Sequence, residues 1–309
     1  MMSLAPVVSR WNALSPNLRG AAFMLLSSLG FTVMAVLIRD VAATIDPLQM
    51  AFFRCAIGWL AILPFVAHTG FSSVIRSNVL RLHLSRATLG TIAMFCAYYA
   101  IAHMPLADFT ALSFTRPLFA TVMAVIVLHE VVRWRRWTAT IVGFLGVLVM
   151  VRPGVAEINP ATFVALGESV SLALLIVIVK IMPRAEKTLT MLFWFGAFSI
   201  PITAVPAYFV WQWPTTTEWI LLVVMALSGV VSQWLFILAF RTGEASFVAP
   251  IDYVRLVFVT VTGYLVFAEV PTVWTLLGAA IIVGATFYIM RRETRLAGSA
   301  SVTDPPPES

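Results

Sequence analysis

Few residues of this chain could do chemistry, and those few stand where charge is costly. Arg54, Arg116, Glu168, Asp252 and Arg255 all interrupt long apolar runs. At membrane depth an ionisable side chain costs about 2.5–3.5 kcal/mol on insertion scales, so each needs a partner or water. Asp252 precedes Arg255 by three residues, which puts both on one helix face. Two arginines, Arg116 and Arg255, suit an anionic or carbonyl-rich solute, with Glu168 and Asp252 as counter-ions or proton-linked acids. The same residues would also serve as internal ion pairs that only hold helices in register. Arg54 lies near the start of its run, where a long side chain snorkels to the interface, and is read as structural.

Aromatic and polar side chains accompany these charges. Tyr99 lies mid-run in TIAMFCAYYAIAH, and Gln233 and Trp234 occupy matching positions further on. Flat rings suit stacking on a planar solute, and a buried hydroxyl wants a partner; ordinary aromatic packing is the competing reading. These seven residues (Arg116, Arg255, Glu168, Asp252, Tyr99, Gln233 and Trp234) form the expected substrate-binding set. Glu130 and Glu269 each close an apolar run and are read as gating or structural residues. Pro117 and Pro250 are candidate hinges, because proline frees a carbonyl and kinks a helix. His103 ends its run and is a weaker candidate for a protonation switch. Trp211 and Trp213 read as interface anchors.

Other chemistries lack their residues. The four histidines are scattered, no HExxH or paired-Asp motif occurs, and Cys55 and Cys96 lie far apart without metal-ligand or disulfide spacing. No Walker A motif is present. The expectation is no catalytic residue, no metal, no cofactor and no enzyme.

The elements that must position these residues follow from composition. The chain has 309 residues, 61% hydrophobic and only 11% charged, against about 25% charged in a soluble domain. This excludes a soluble globular enzyme, a disordered chain and a nucleic-acid-binding domain. A helix crossing a bilayer needs about 20 apolar residues. Ten windows fit: 20–38, 48–67, 86–103, 108–128, 136–151, 161–182, 189–210, 218–240, 246–267 and 273–290. Period-2 alternation is missing, so a membrane barrel is not expected. The first window is long for a cleaved signal and is read as the first span. The tail 297–309 reads as disordered.

Basic residues orient the spans. With the N-terminus in the cytoplasm, fifteen of the twenty Lys and Arg fall inside, Arg39 and Arg152 fall outside, and Arg54, Arg116 and Arg255 lie within spans. That bias supports both the ten-span count and cytoplasmic termini.

The chain also repeats itself. A shift of 139 residues aligns Arg116 with Arg255, Glu130 with Glu269, Arg152 with Arg291 and Gly90 with Gly229 without a gap. Arg39 meets Lys180 at a shift of 141. Five spans per half, an odd number, invert the second copy. Charges agree: Arg133, Arg135 and Arg136 have uncharged counterparts, Thr272, Trp274 and Thr275, where the loop would face outside. Inverted repeats are a mark of secondary transporters. The expected fold is therefore an all-α membrane protein of ten transmembrane helices, a five-helix repeat over 18–152 and an inverted one over 160–292.

With ADFTALSFTRPLFATVMAVIVLHE closing in Glu130, ASFVAPIDYVRLVFVTVTGYLVFAE closing in Glu269, and the Gly-rich GFLGVLVMVRPG and LLGAAIIVGATFYIMRRE after them, the sequence resembles the EamA family of the drug/metabolite transporter superfamily over residues 18–292. The resemblance implies an inner-membrane carrier with both termini cytoplasmic and a cavity lined by spans 1, 3, 4, 6, 8 and 9. The Arg-Pro at 116–117 and the Asp-Tyr-x-x-Arg run at 252–255 are similar to members that move riboflavin or S-adenosylmethionine-like metabolites.

The function expected is a secondary carrier of a small organic metabolite, working by alternating access as a monomer or homodimer in the lipid bilayer, with no nucleic-acid partner. Export of amino acids or drugs is the alternative. A membrane enzyme or a channel subunit is remote, because acid clusters and polar pore rings are missing.

Overall fold

The computed structural model describes residues 15–129, 134–152, 159–181 and 188–300, and every regular element among them is helical. Helix α1 spans Pro16–Val41, α2 Pro47–Thr69, the short α3 Phe71–Ile75 and α4 Leu80–His103. Next come α5 (Leu106–Ser113), α6 (Arg116–Leu128) and α7 (Trp134–Val151). The C-terminal half holds α8 (Pro160–Ile181), α9 (Thr188–Phe209) and α10 (Thr216–Thr242). A single turn α11 (Ala245–Val248) leads through a 3-10 turn, Ala249–Tyr253, into α12 (Val254–Phe267), and α13 (Val273–Ala300) closes the chain. The last helix therefore takes in residues 297–300 of the expected disordered tail; Ala297 and Ala300 are good helix formers that extend it.

Local sequence explains the starts. Pro16 and Pro47 open α1 and α2 behind the caps Ser15 and Asp46, whose side chains accept from the backbone N–H of Leu18 and Leu48. Thr215 and Glu218 make a reciprocal capping box at α10.

Six helical stretches are long and apolar enough to cross a membrane: 16–41, 47–69, 106–127, 160–178, 189–209 and 216–242. The other four expected windows are not among these six. Helix α4 carries Arg81 and Arg86 near its start. Apolar stretches at Trp137–Val151 and Val273–Tyr288 lie within α7 and α13. Helix α12 has 14 residues because the 3-10 turn takes the beginning of its window.

The fourth and ninth windows both break before their arginine. Arg116 is the first residue of α6 and Arg255 the second of α12. At the first break, Pro117 has no N–H for the carbonyl four residues back. Thr115 turns its hydroxyl onto the Leu112 carbonyl at 2.7 Å, and Thr286 donates to the Phe114 carbonyl at 3.2 Å. Pro250 sits within the 3-10 turn at the second break. Both windows also end alike: His129 (φ 52°) and Ala268 (φ 55°) adopt the left-handed conformation that closes a helix, and each immediately precedes a glutamate.

Helix α1 packs along α10, α4 along α8, α2 against α9, and α7 against α13. Helix α6 leans on α8 and α12 on α1, while α4 meets α9 and α2 meets α10. Small residues permit the closest approaches. A Cβ on Gly278 would lie 2.6 Å from the Gly146 carbonyl, and one on Gly30 2.2 Å from the Ser232 hydroxyl. The main core joins Ile38, Met50, Ile101, Leu112, Met225 and Ile282.

Candidate substrate site

Two ion pairs form at the helix breaks. Arg116 reaches across to Glu168 in α8 with both edges of its guanidinium, Nη2 to Oε1 and Nε to Oε2 at 3.3 Å. Glu168 is only 2% exposed and also accepts from Ser169 at 3.2 Å. A bidentate Arg–carboxylate pair is among the strongest ways to keep a buried charge. The second pair is local: Arg255 Nη2 lies 3.3 Å from Asp252 Oδ2 within one helical turn. Asp252 takes a second bond from Ser28 of α1 at 3.1 Å. The sets are neighbours, since Arg255 lies in electrostatic reach of both Arg116 and Glu168.

Arg255 is held between two rings. Its guanidinium carbon stands 5.8 Å from the Phe31 ring centre and 5.4 Å from that of Phe114, inside cation–π range. Phe114 in turn meets Tyr253 edge-on at 4.8 Å. The Nε and Nη2 groups of Arg255 are buried and make no aligned hydrogen bond among the described residues. These are N–H donors held ready beside aromatic faces.

A second network ties helix ends at the other end of α1 and α12. Glu269, just past α12, pairs with Arg39 at 3.1 Å and accepts from the Leu106 N–H at 2.9 Å. Arg39 also donates to the carbonyls of Ile101 and Met104. At the same end, Gln49 and Gln212 bond reciprocally, side chain to backbone, at 2.6 and 3.0 Å.

Of the expected residues, the structure brings Arg116, Glu168, Asp252 and Arg255 together, and Pro117 beside them. Glu269 takes part in the helix-end network. Tyr99 and Trp234 go elsewhere. Tyr99 is 40% exposed, aligns with exposed Leu84 and Ile92, and stacks on the His103 ring at 4.1 Å. Trp234, 61% exposed, continues a stripe of exposed Ile220, Val224, Leu227 and Val231. Both stripes lie on the helix faces opposite the packed core. Gln233 is exposed too, but shares a face with Gly229 one turn away. Glu130 lies outside the described residues. Of the expected anchors, Trp213 is exposed, while Trp211 packs edge-on against Phe52 at 5.9 Å.

Arg54 corrects the sequence reading. It does not snorkel. Its guanidinium lies over Gly58 and Gly229: a Cβ on Gly58 would stand 2.9 Å from Nη1, and one on Gly229 2.6 Å from Nε and 2.7 Å from the Met34 sulfur. Gly58 follows Arg54 by one turn in the sequence and leaves room for the side chain to run forward along its own helix.

Apolar helices paired through glycines, with ion-paired charges gathered at the helix breaks and helix ends, define a multi-pass membrane protein with a polar site between its helices. A family model described as the EamA-like transporter family matches residues 18–152 and again 159–291; the chain belongs to this family and is a transporter. It is 31% identical to an S-adenosylmethionine uptake transporter of Rickettsia prowazekii over 93% of this chain and 98% of that protein. Similarity to a riboflavin transporter of Vibrio cholerae is 30% over 90% and 95% of the two chains. A pseudopaline exporter, CntI, of Pseudomonas aeruginosa is also 30% identical, over 88% and 96%. A solved crystal structure shares the fold at a TM-score of 0.57 and 16% identity, covering 88% of this chain and 98% of its own.

Proposed function

We propose that this transporter is an inner-membrane secondary carrier that moves a small planar-ringed metabolite by alternating access around Arg255 and Arg116. The carrying observation is the state of Arg255: framed by Phe31 and Phe114, its buried Nε without an acceptor and its buried Nη2 held to Asp252 only by an unaligned ion pair. A planar solute bearing carbonyl or carboxylate oxygens satisfies the donors and stacks on the rings at once. S-adenosylmethionine and riboflavin are both of this kind, and relatives at about 30% identity carry their names.

The ten-span architecture with two inverted five-helix repeats, 18–152 and 160–292, belongs to the same reading. Supporting it, the neighbour pattern maps onto itself when each helix is exchanged for its repeat partner: α1–α10 becomes α8–α4, α6–α8 becomes α12–α1, and α2–α9 and α7–α13 map to themselves. His129 and Ala268, 139 residues apart, share one unusual backbone conformation. Lys and Arg placement supports cytoplasmic termini, which puts the Arg39–Glu269 network on the outer side as a closed gate. The carrier works as a monomer or homodimer. Export is the second reading, favoured by the likeness to CntI.

Proteoliposomes loaded with S-adenosylmethionine or riboflavin test the proposal by counterflow of the labelled solute. Saturable exchange is expected for one of them, reduced at least tenfold in Arg255→Gln with the protein still monodisperse. Undiminished exchange in that variant removes Arg255 from the site. No saturable exchange of either solute removes the planar-metabolite reading.

A further inference from the structure

Charges at the polar centre do not balance. Arg116 is neutralised by Glu168 and Arg255 by Asp252. Arg54 has no hydrogen bond and no acidic partner among the described residues. Gly58 and Gly229 lie against its guanidinium, and the Met34 sulfur lies against the same side of Gly229. Met34 lies one turn along α1 from Phe31, the ring that covers Arg255, so both guanidiniums flank the same face of α1. A cation at this depth cannot face hydrocarbon. With Arg116 and Arg255 each paired to an acid and Arg54 paired to none among the described residues, this part of the molecule holds one positive charge in excess.

A second, independent observation concerns Tyr98 of α4. Tyr98 is 3% exposed, and its hydroxyl is buried without a hydrogen-bond partner. It lies in electrostatic reach of Arg54. Arg54 can only donate, and the Tyr98 hydroxyl has a proton to give. Two donors without an acceptor call for a group that only accepts and carries one negative charge. A carboxylate is that group, and a guanidinium binds it in a matched fork. The two glycines fix the seat, because any side chain on Gly229 would displace the guanidinium.

We propose that Arg54, Tyr98 and the glycine seat of Gly58 and Gly229 form a carboxylate-binding site that receives the acid group of the transported metabolite. The inference rests on the transport reading and narrows it: the substrate is a planar-ringed metabolite with one carboxylate, its ring at Arg255 and its acid at Arg54. Such a site rejects the matching amine, which brings a second positive charge toward an uncompensated cation.

The test uses purified full-length protein and thermal-shift titration with matched pairs: S-adenosylmethionine against decarboxylated S-adenosylmethionine, and tryptophan against tryptamine, with riboflavin as a carboxylate-free ring. At least one acid should bind ten times more tightly than its partner. That preference should fall below twofold in Arg54→Gln, persist in part in Arg54→Lys, and weaken three- to tenfold in Tyr98→Phe, which keeps the ring and the fold. An equal preference in wild type and Arg54→Gln, tighter binding of the amines or of riboflavin, or no binding of either acid overturns the proposal. Counterflow of the preferred acid is scored separately. Intact acid discrimination without exchange tells against the transport reading and leaves the site standing.

Discussion

At the scale of single residues, the buried pairs are held less by attraction than by the cost of breaking them. Glu168 is almost fully enclosed and depends on Arg116 for its charge. Removing one member of a buried pair typically costs about 3–5 kcal/mol, whereas replacing both is often near neutral. Arg116→Gln should therefore lower the thermal midpoint markedly, and adding Glu168→Gln should restore most of it while transport stays lost. A double variant no more stable than the single one would show that the pair is not energetically coupled. Much of this site was legible in the sequence, because charges are scarce in apolar runs and each stands out. For Arg54 the local half of the seat, Gly58, stands in the sequence one turn away, whereas the other half, Gly229, is brought opposite it from α10 only by tertiary packing. Tyr99 and Tyr98 are adjacent and chemically alike; only helix rotation, set by packing of α4 against α8 and α9, decides which one turns inward.

At the scale of elements, the broken helices and their left-handed ends carry testable strain. Ala268 adopts a positive φ of 55° where glycine is the preferred residue. The left-handed conformation costs an L-residue about 1–2 kcal/mol, so Ala268→Gly should raise stability by about 1 kcal/mol in thermal unfolding. An unchanged or lower midpoint would show that the strain is relieved elsewhere. Helix α13 offers a sharper contrast. Gly278 packs onto the Gly146 carbonyl, whereas a Cβ on Gly284 meets nothing within 4 Å. Gly278→Leu should abolish the folded yield; Gly284→Ala should be tolerated and add up to about 1 kcal/mol of helix propensity. Existence and order of the long helices were readable from hydropathy. The breaks were not, because the 3-10 turn at Ala249–Tyr253 and the shortness of α12 arise from tertiary bonding that an apolar window averages away.

At the scale of the whole molecule, a two-fold pattern of neighbours implies that what seals one end should have a counterpart at the other. In Glu269→Gln the partner of Arg39 loses its charge. In a variant lacking Cys55 and Cys96, with a single cysteine placed at Phe114, impermeant maleimide added from outside should label Glu269→Gln faster than the parent. Equal labelling would mean that this ion pair does not hold the outer side shut.

The two ends are nevertheless chemically unlike. Asp108, close to Glu269 and Thr275 in the Arg39 network, corresponds through the 139-residue shift to Phe247, an exposed apolar side chain. A machine with matching halves but unmatched ends has two conformers of unequal free energy. Its resting position is then written into one residue rather than into the scaffold, and exchanging acid for phenylalanine at 108 should shift the empty carrier's dwell between sides without altering what it binds.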